Sequence, residues 1–250
     1  KKILLTVDKR KSIHLKKKLL RNHSMDSSSK LTIVKRAGVD LPLEIINFLD
    51  PKECLYLIKY FKKSPKRYAK QSFWDGRVVD LHSITDLKVR KIVEDLHARI
   101  CGYTCKYYGE DYIYTDYSNL VYWGPDNELV PHCDNRHTHD PNIKHDTPHR
   151  TYSAVLCLNE DYEGGHTIFP ELNVEYPGVT SRLIVFPSGR SHLHGVTEVT
   201  SGSRYTFAMW MTKSRNNIMR VNSVNPLTFR LKTIIKNTKH LSKRFIKRWL

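Results

Sequence analysis

The sequence predicts a mainly β protein with flanking helices (α+β), an antiparallel barrel or jelly roll. Two observations carry this. From Asn119 onward, short apolar runs recur between Gly, Pro and Asn turn signals, which is strand spacing. Before them lie two stretches with helical periodicity. A length of 250 residues suits one such barrel with helical additions.

The elements follow in order. Ile45 to Phe48 reads as a short strand. Asp50 can cap a helix, Pro51 suits its first position, and Glu53 lies in its first turn. Leu55, Ile58 and Phe61 continue that helix to about Lys63. A second helix is expected from about Thr85 to Tyr107, with Leu87, Ile92, Leu96, Ile100 and Tyr103 on its buried face. Strands are expected at 119–123, 129–134, 151–159, 166–169, 182–187, 192–199 and 203–212. Gly124-Pro125-Asp126-Asn127, Gly164-Gly165, Pro187-Ser188-Gly189 and Gly202 mark turns between them. The organisation is therefore a basic N-terminal extension (1–36), a helical support (37–110), a β core (111–215) and a basic amphipathic C-terminal helix (226–250).

Composition narrows the classes. With 40% hydrophobic and 27% charged residues the chain is globular rather than disordered. No run approaches the roughly 20 apolar residues of a membrane span. The chain begins Lys1-Lys2 without Met and without a signal-like segment, so a removed targeting segment stays open. Five scattered cysteines do not make a disulfide framework, and this favours a reducing compartment such as the cytoplasm over a secretory lumen. The net charge of +17 sits at the ends. Residues 1–36 hold twelve Lys/Arg against Asp8 and Asp26, and residues 226–250 hold eight with no acid. These ends suit contact with a polyanion or an anionic membrane. Residues 37–225 between them are near neutral, so the basic character belongs to the ends and nucleic acid is disfavoured as the substrate.

The chemistry concentrates in His132, Asp134 and His194. His132 and Asp134 alternate along one strand, so they share a face and can converge on one ion. His194 joins them from a neighbouring strand. Two imidazoles and a carboxylate on one side of a metal leave the other side open, the ligand set of non-heme Fe(II) oxygenases. Arg204, ten residues beyond His194, lies in an apolar run where an unpaired cation is costly. A carboxylate co-substrate, 2-oxoglutarate, resolves that cost. His192 is a rival ligand two positions before His194 on the same expected strand, and is read as its neighbour. The loop 135–149, with His137, His139, His145 and His149, fits no zinc spacing and reads as a polar lid.

These motifs resemble the Fe(II)/2-oxoglutarate dioxygenases of the prolyl hydroxylase type, most closely the prolyl 3-hydroxylase branch. The resemblance rests on Pro131-His132-Cys133-Asp134-Asn135, Arg150 with Tyr152 to Leu156, Leu158-Asn159, Gly164-Gly165, Phe186-x-Ser188-Gly189, His194-Gly195-Val196 and Arg204 with Trp210. It covers about residues 118–213. It implies a double-stranded β-helix in which His132, Asp134 and His194 bind iron and Arg204 binds 2-oxoglutarate. Tyr122 and Trp210 are implied near the co-substrate. It further implies Fe(II), 2-oxoglutarate and O2, with ascorbate in support, and hydroxylation of a C–H bond, foremost of a peptidyl proline, with succinate and CO2 as co-products. Alternatives are a free amino acid or other small molecule as substrate, or a weakly active binding module keeping the fold. Nucleic-acid demethylases of this group resemble one another in having Arg where Trp210 stands. Two positions depart from the pattern: Cys157 where relatives have Tyr, and His166 where Gly-Gly-Glu is usual. The oligomeric state is not read from the sequence.

Overall fold

The computed structural model describes residues 31–34, 41–66, 72–140, 142–219 and 222–223. The basic extension (1–36) lies outside these apart from residues 31–34, and the amphipathic helix expected at 226–250 lies outside entirely.

The first helix, α1 (Pro51–Lys63), starts where its cap demands. The Asp50 carboxylate accepts the Lys52 N–H at 2.7 Å, and Pro51 occupies the first turn, where its missing N–H costs nothing. The second, α2 (Leu87–Tyr108), is capped by Asp86, which accepts from Lys88 and Val89. It ends at Gly109 in the left-handed conformation, φ 70°.

Both expected helices form. Ile58 and Phe61 of α1 and Ile92, Leu96 and Ile100 of α2 are buried as expected, joined by Cys54, Leu57, Val89, Val93 and Thr104. Leu55 and Leu87 are the exceptions, 55% and 78% exposed. Leu87 opens its helix, and no turn precedes it to carry a face onto which it could fold back.

Seven strands make the main sheet: β1 (Thr32–Val34), β2 (Leu43–Ile46), β3 (Val78–Asp80), β5 (Tyr114–Trp123), β7 (Arg150–Cys157), β11 (Leu183–Pro187) and β14 (Arg204–Thr212). Their order is β1-β2-β11-β7-β14-β5-β3, every pairing antiparallel. Strand alternation sorts their side chains onto two faces. Leu120, Leu156, Leu183, Val185, Phe207, Met209 and Met211 face one way and join the buried faces of α1 and α2 in the largest core cluster. Val121, Trp123, Ile184, Phe186 and Ala208 face the other way, into two smaller clusters.

Those clusters join the main sheet to a second one, ordered β10 (Val174–Tyr176), β9 (Thr167–Phe169), β12 (His194–Val196) and β6 (Leu129–His132). Two short pairs complete the fold: β8 (Tyr162–Gly164) with β13 (Val199–Gly202), and β4 (Ser83–Ile84) with β15 (Asn222–Ser223). Two facing antiparallel sheets with helices packed outside the larger are the expected jelly roll.

The single strand expected over 192–199 is broken. Arg190–His192 forms a 3-10 turn, β12 spans three residues, and β13 pairs elsewhere. The strand expected over 129–134 ends at His132. Asp134 stands on the bend beyond it, its N–H bonded to the Ser188 carbonyl at 3.0 Å.

Candidate metal centre and co-substrate pocket

His132 and His194 are direct partners across β6 and β12. Their rings lie 4.4 Å apart between centroids. Asp134 reaches both: Oδ1 lies 3.5 Å from His132 Nε2, and Oδ2 lies 3.4 Å from His194 Nε2. One donor atom from each residue falls within 4.8 Å of the others. Among the described residues, this is the one group of three or more such side chains so placed.

The supporting contacts prepare these atoms. Nδ1 of His132 meets the Val130 carbonyl and Nδ1 of His194 meets the His192 carbonyl, each at 3.1 Å. A carbonyl only accepts, so each Nδ1 carries the proton and each Nε2 presents a lone pair inward. The Ser153 hydroxyl donates to Asp134 Oδ2 at 2.6 Å and contacts the Ser188 hydroxyl at 2.8 Å. Ser153 belongs to the inward row of β7. The sequence reading missed it because its meaning depends on which face of that strand points inward.

Electrostatics keeps His194 and Asp134 in ligating form. Burial pushes the His194 imidazole down to about 4, so it is neutral at pH 7. Burial presses on His132 in the same direction, but the Asp134 carboxylate outweighs it and the net shift is upward. Burial acts to raise Asp134, yet the two neighbouring imidazoles and Ser153 hold its carboxyl well below the usual range. The carboxylate is thus ionised beside a neutral His194, and it draws a proton toward His132 that a bound metal ion would displace. Such a set suits a divalent transition ion, with the far side left to other ligands.

The triad lines a cavity of about 370 Å³ between the two sheets. Arg204 lines it too, and is only 2% exposed. Its Nη2 donates to Thr167 Oγ1 at 3.1 Å, and its guanidinium carbon lies 5.1 Å from the centre of the Trp123 ring. Its Nε and Nη1 are buried without a partner. A buried cation with unused donors fits an anionic ligand, and a guanidinium fits a carboxylate in particular.

Two co-substrate assignments need correction. Tyr122 packs on Phe61 and Tyr205 and belongs with the helix-side core. Alternation on β5 turns Asn119, Val121 and Trp123 to the cavity and Tyr122 away from it. Trp123 stands there instead, its indole N–H buried and unpartnered. Trp210 does line the cavity, but it pairs with Ser153 and Tyr117 across the sheet. By strand rise it lies about 20 Å along β14 from Arg204, too far for one small dicarboxylate to touch both. Its neighbours there are the Arg150 guanidinium, 4.4 Å above its ring, and Tyr117, stacked at 5.9 Å.

The loop 135–149 touches the site at a few points. His145 lines the cavity, Thr147 Oγ1 donates to the Asp134 carbonyl at 2.9 Å, and His149 contacts Asp116 at 3.0 Å. His192 is buried but serves the site through its carbonyl. The 3-10 turn takes it off the strand face that it was expected to share with His194.

Paired antiparallel sheets around a two-histidine, one-carboxylate centre and a buried arginine match the arrangement of a jelly-roll, non-heme Fe(II) site. Comparison with known proteins agrees. Residues 117–212 match the 2OG-Fe(II) oxygenase superfamily. Prolyl 3-hydroxylase 2 of Homo sapiens is 41% identical over 68 residues, 25% of this chain and 10% of that protein. Prolyl 3-hydroxylase 1 of Gallus gallus is 43% identical over 68 residues, 25% of this chain and 9% of that protein. The chain thus spans about a tenth of the length of the curated relatives it matches. The viral collagen prolyl hydroxylase of Paramecium Bursaria Chlorella virus-1, solved with 2OG, shares the fold at a TM-score of 0.55 and 18% identity, covering 71% of this chain and 100% of that one. A Trichoplax adhaerens prolyl hydroxylase, solved with a hypoxia inducible factor peptide, aligns with a TM-score of 0.52 and 17% identity over 70% of this chain and 84% of that one. Residues 117–212 are thus similar to the 2OG-Fe(II) oxygenase superfamily, and the curated relatives that match are prolyl 3-hydroxylases. That family uses Fe(II), 2-oxoglutarate and O2.

Proposed function

We propose that this chain hydroxylates a C–H bond of a peptidyl proline, with succinate and CO2 as co-products. The observation that carries the reading is one cavity walled by both the converging His132, Asp134 and His194 donors and the half-unpaired Arg204 guanidinium. The names of the curated relatives and the peptide held by the Trichoplax structure support a peptidyl substrate.

In this reading His132, Asp134 and His194 would hold iron from one side, and Arg204 would anchor 2-oxoglutarate by its distal carboxylate. Bound there, iron and 2-oxoglutarate supply O2 activation coupled to oxidative decarboxylation. The protein fixes geometry. The Val130 and His192 carbonyls lock the two tautomers, and Ser153 fixes one carboxylate oxygen. Val121, Val155, Phe186 and Val196 make the walls apolar and limit water. Tyr117, Trp210 and Trp74 add aromatic wall on which a substrate ring would pack.

The test is succinate formation under air with Fe(II), 2-oxoglutarate and ascorbate, comparing proline-rich peptides with free proline. Peptide-stimulated turnover, lost in His132→Ala and Arg204→Ala, is the expected result. Stimulation by free proline alone would transfer the assignment to a small-molecule hydroxylase. No turnover with any substrate would point to a binding module.

A further inference from the structure

The pocket lacks a hydroxyl where relatives carry one. Cys157 stands on the inward row of β7, opposite Thr206 of β14 and one inward position from Arg204. The resemblance places a Tyr there, whose hydroxyl supports the co-substrate carboxylate. A buried thiol is shorter and a weak donor. Tyr122, implied near the co-substrate by the resemblance, faces the other side of the sheet.

Another Tyr occupies this neighbourhood. Tyr162 opens β8, and two glycines make room for its ring. A side-chain carbon on Gly165 would meet Tyr162 Cε2 at 3.2 Å and Arg204 Cδ at 3.1 Å, so the ring and the arginine stem flank one glycine. A side-chain carbon on Gly178 would lie 2.1 Å from the Tyr162 hydroxyl, so that glycine seats the hydroxyl. The hydroxyl is buried and donates to no partner, and Arg204 Nε and Nη1 are likewise unpaired. Burial and the nearby Cys157 raise its pKa, while Arg204, close enough to hydrogen-bond to the phenol oxygen, lowers it. A free phenol O–H and unpaired guanidinium N–H groups beside the Arg204 end of the pocket are costly unless an acceptor joins them.

We propose that the Tyr162 hydroxyl binds the distal carboxylate of 2-oxoglutarate together with Arg204, in place of the hydroxyl missing at Cys157. This rests on the dioxygenase reading above. The carboxylate accepts from the guanidinium and from the phenol.

The experiment is equilibrium binding of 2-oxoglutarate to the Mn(II)-loaded protein by calorimetry, which needs no turnover. Tyr162→Phe removes one oxygen and keeps the ring. Its Kd is expected to rise about 10- to 100-fold, the range for a hydrogen bond to a charged group. In turnover, the KM for 2-oxoglutarate rises with it while kcat and the thermal midpoint hold. Gly178→Ala, which displaces the hydroxyl without removing it, weakens binding in the same direction. Adding Cys157→Tyr to Tyr162→Phe restores affinity to within a few-fold of wild type. Tyr162→Phe binding within threefold of wild type, while Arg204→Ala binding is lost, would overturn this proposal and leave the dioxygenase reading intact. Wild-type protein that binds no 2-oxoglutarate would overturn both.

Discussion

On β14, Tyr205, Phe207 and Met209 turn outward into a core shared with α1 and α2, while Arg204, Thr206, Ala208 and Trp210 turn inward onto the cavity. The outward residues are apolar rings, chains and one phenol, tightly packed. The inward ones leave polar atoms unpaired: Arg204 Nε and Nη1, the Trp210 indole N–H and, from β5, the Trp123 indole N–H and Asn119 Oδ1. Neighbouring residues of one strand thus do opposite work. The outward face lowers the free energy of the fold, and the inward face holds groups whose partners are not supplied by the chain.

The comparison can be broken by substitution. The largest effect is expected inside. Asp134→Ala and Arg204→Met should each cut turnover at least about a thousandfold, some 4 kcal/mol in transition-state free energy, with little change in thermal midpoint. Differential scanning fluorimetry beside the succinate assay checks this. An equally large fall in midpoint would show that the inward face also carries stability.

The converse is Phe207→Ala, at a fully buried outward position. It should cost about 3–5 kcal/mol of unfolding free energy in urea, yet leave kcat per folded molecule near wild type.

A smaller effect is expected from His97, on α2 beside Ser118 at 2.8 Å. Burial lowers its imidazole to about 4 from an ordinary 6.5. The unfolded chain therefore takes up the proton first as pH falls. The stabilisation is present above about 6.5 and lost progressively toward 4, by at most about 3 kcal/mol after allowing for partial exposure. Urea titrations of wild type and His97→Gln across that window should diverge, the variant being flatter.

The smallest effects should come from Leu55→Ala and Leu87→Ala. Both side chains are exposed despite sitting in helices, so each should shift stability by less than about 0.5 kcal/mol.

Much of this arrangement was legible in the chain. The turn residues marked most of the strands, and Asp50-Pro51 gave the first residue of α1. His132, Asp134, His194 and Arg204 were legible because their chemistry is scarce in an apolar setting. What failed depended on facing. Tyr122 and Trp123 are adjacent, and one position of shift exchanges cavity for core. Chain spacing alone does not supply that parity, which is set by pairing with β14 and β3. Leu55 and Leu87 failed for a related reason: an apolar residue at roughly helical spacing is buried only if another element covers it. Ser153, Thr167 and Tyr162 were missed because a single hydroxyl has meaning only beside the group that it serves.

The direct pairing of His132 with His194 has a mechanical side. β6 is an edge strand, held by β12 alone, and its register with β12 is interrupted between His194 and Val196. An ion shared by the two histidines is a clasp across that seam. Loading the metal and closing the edge of the smaller sheet then become one linked equilibrium. Iron loss would be felt first as quicker hydrogen exchange and proteolytic nicking around 129–134, well before the helix-backed sheet loosens.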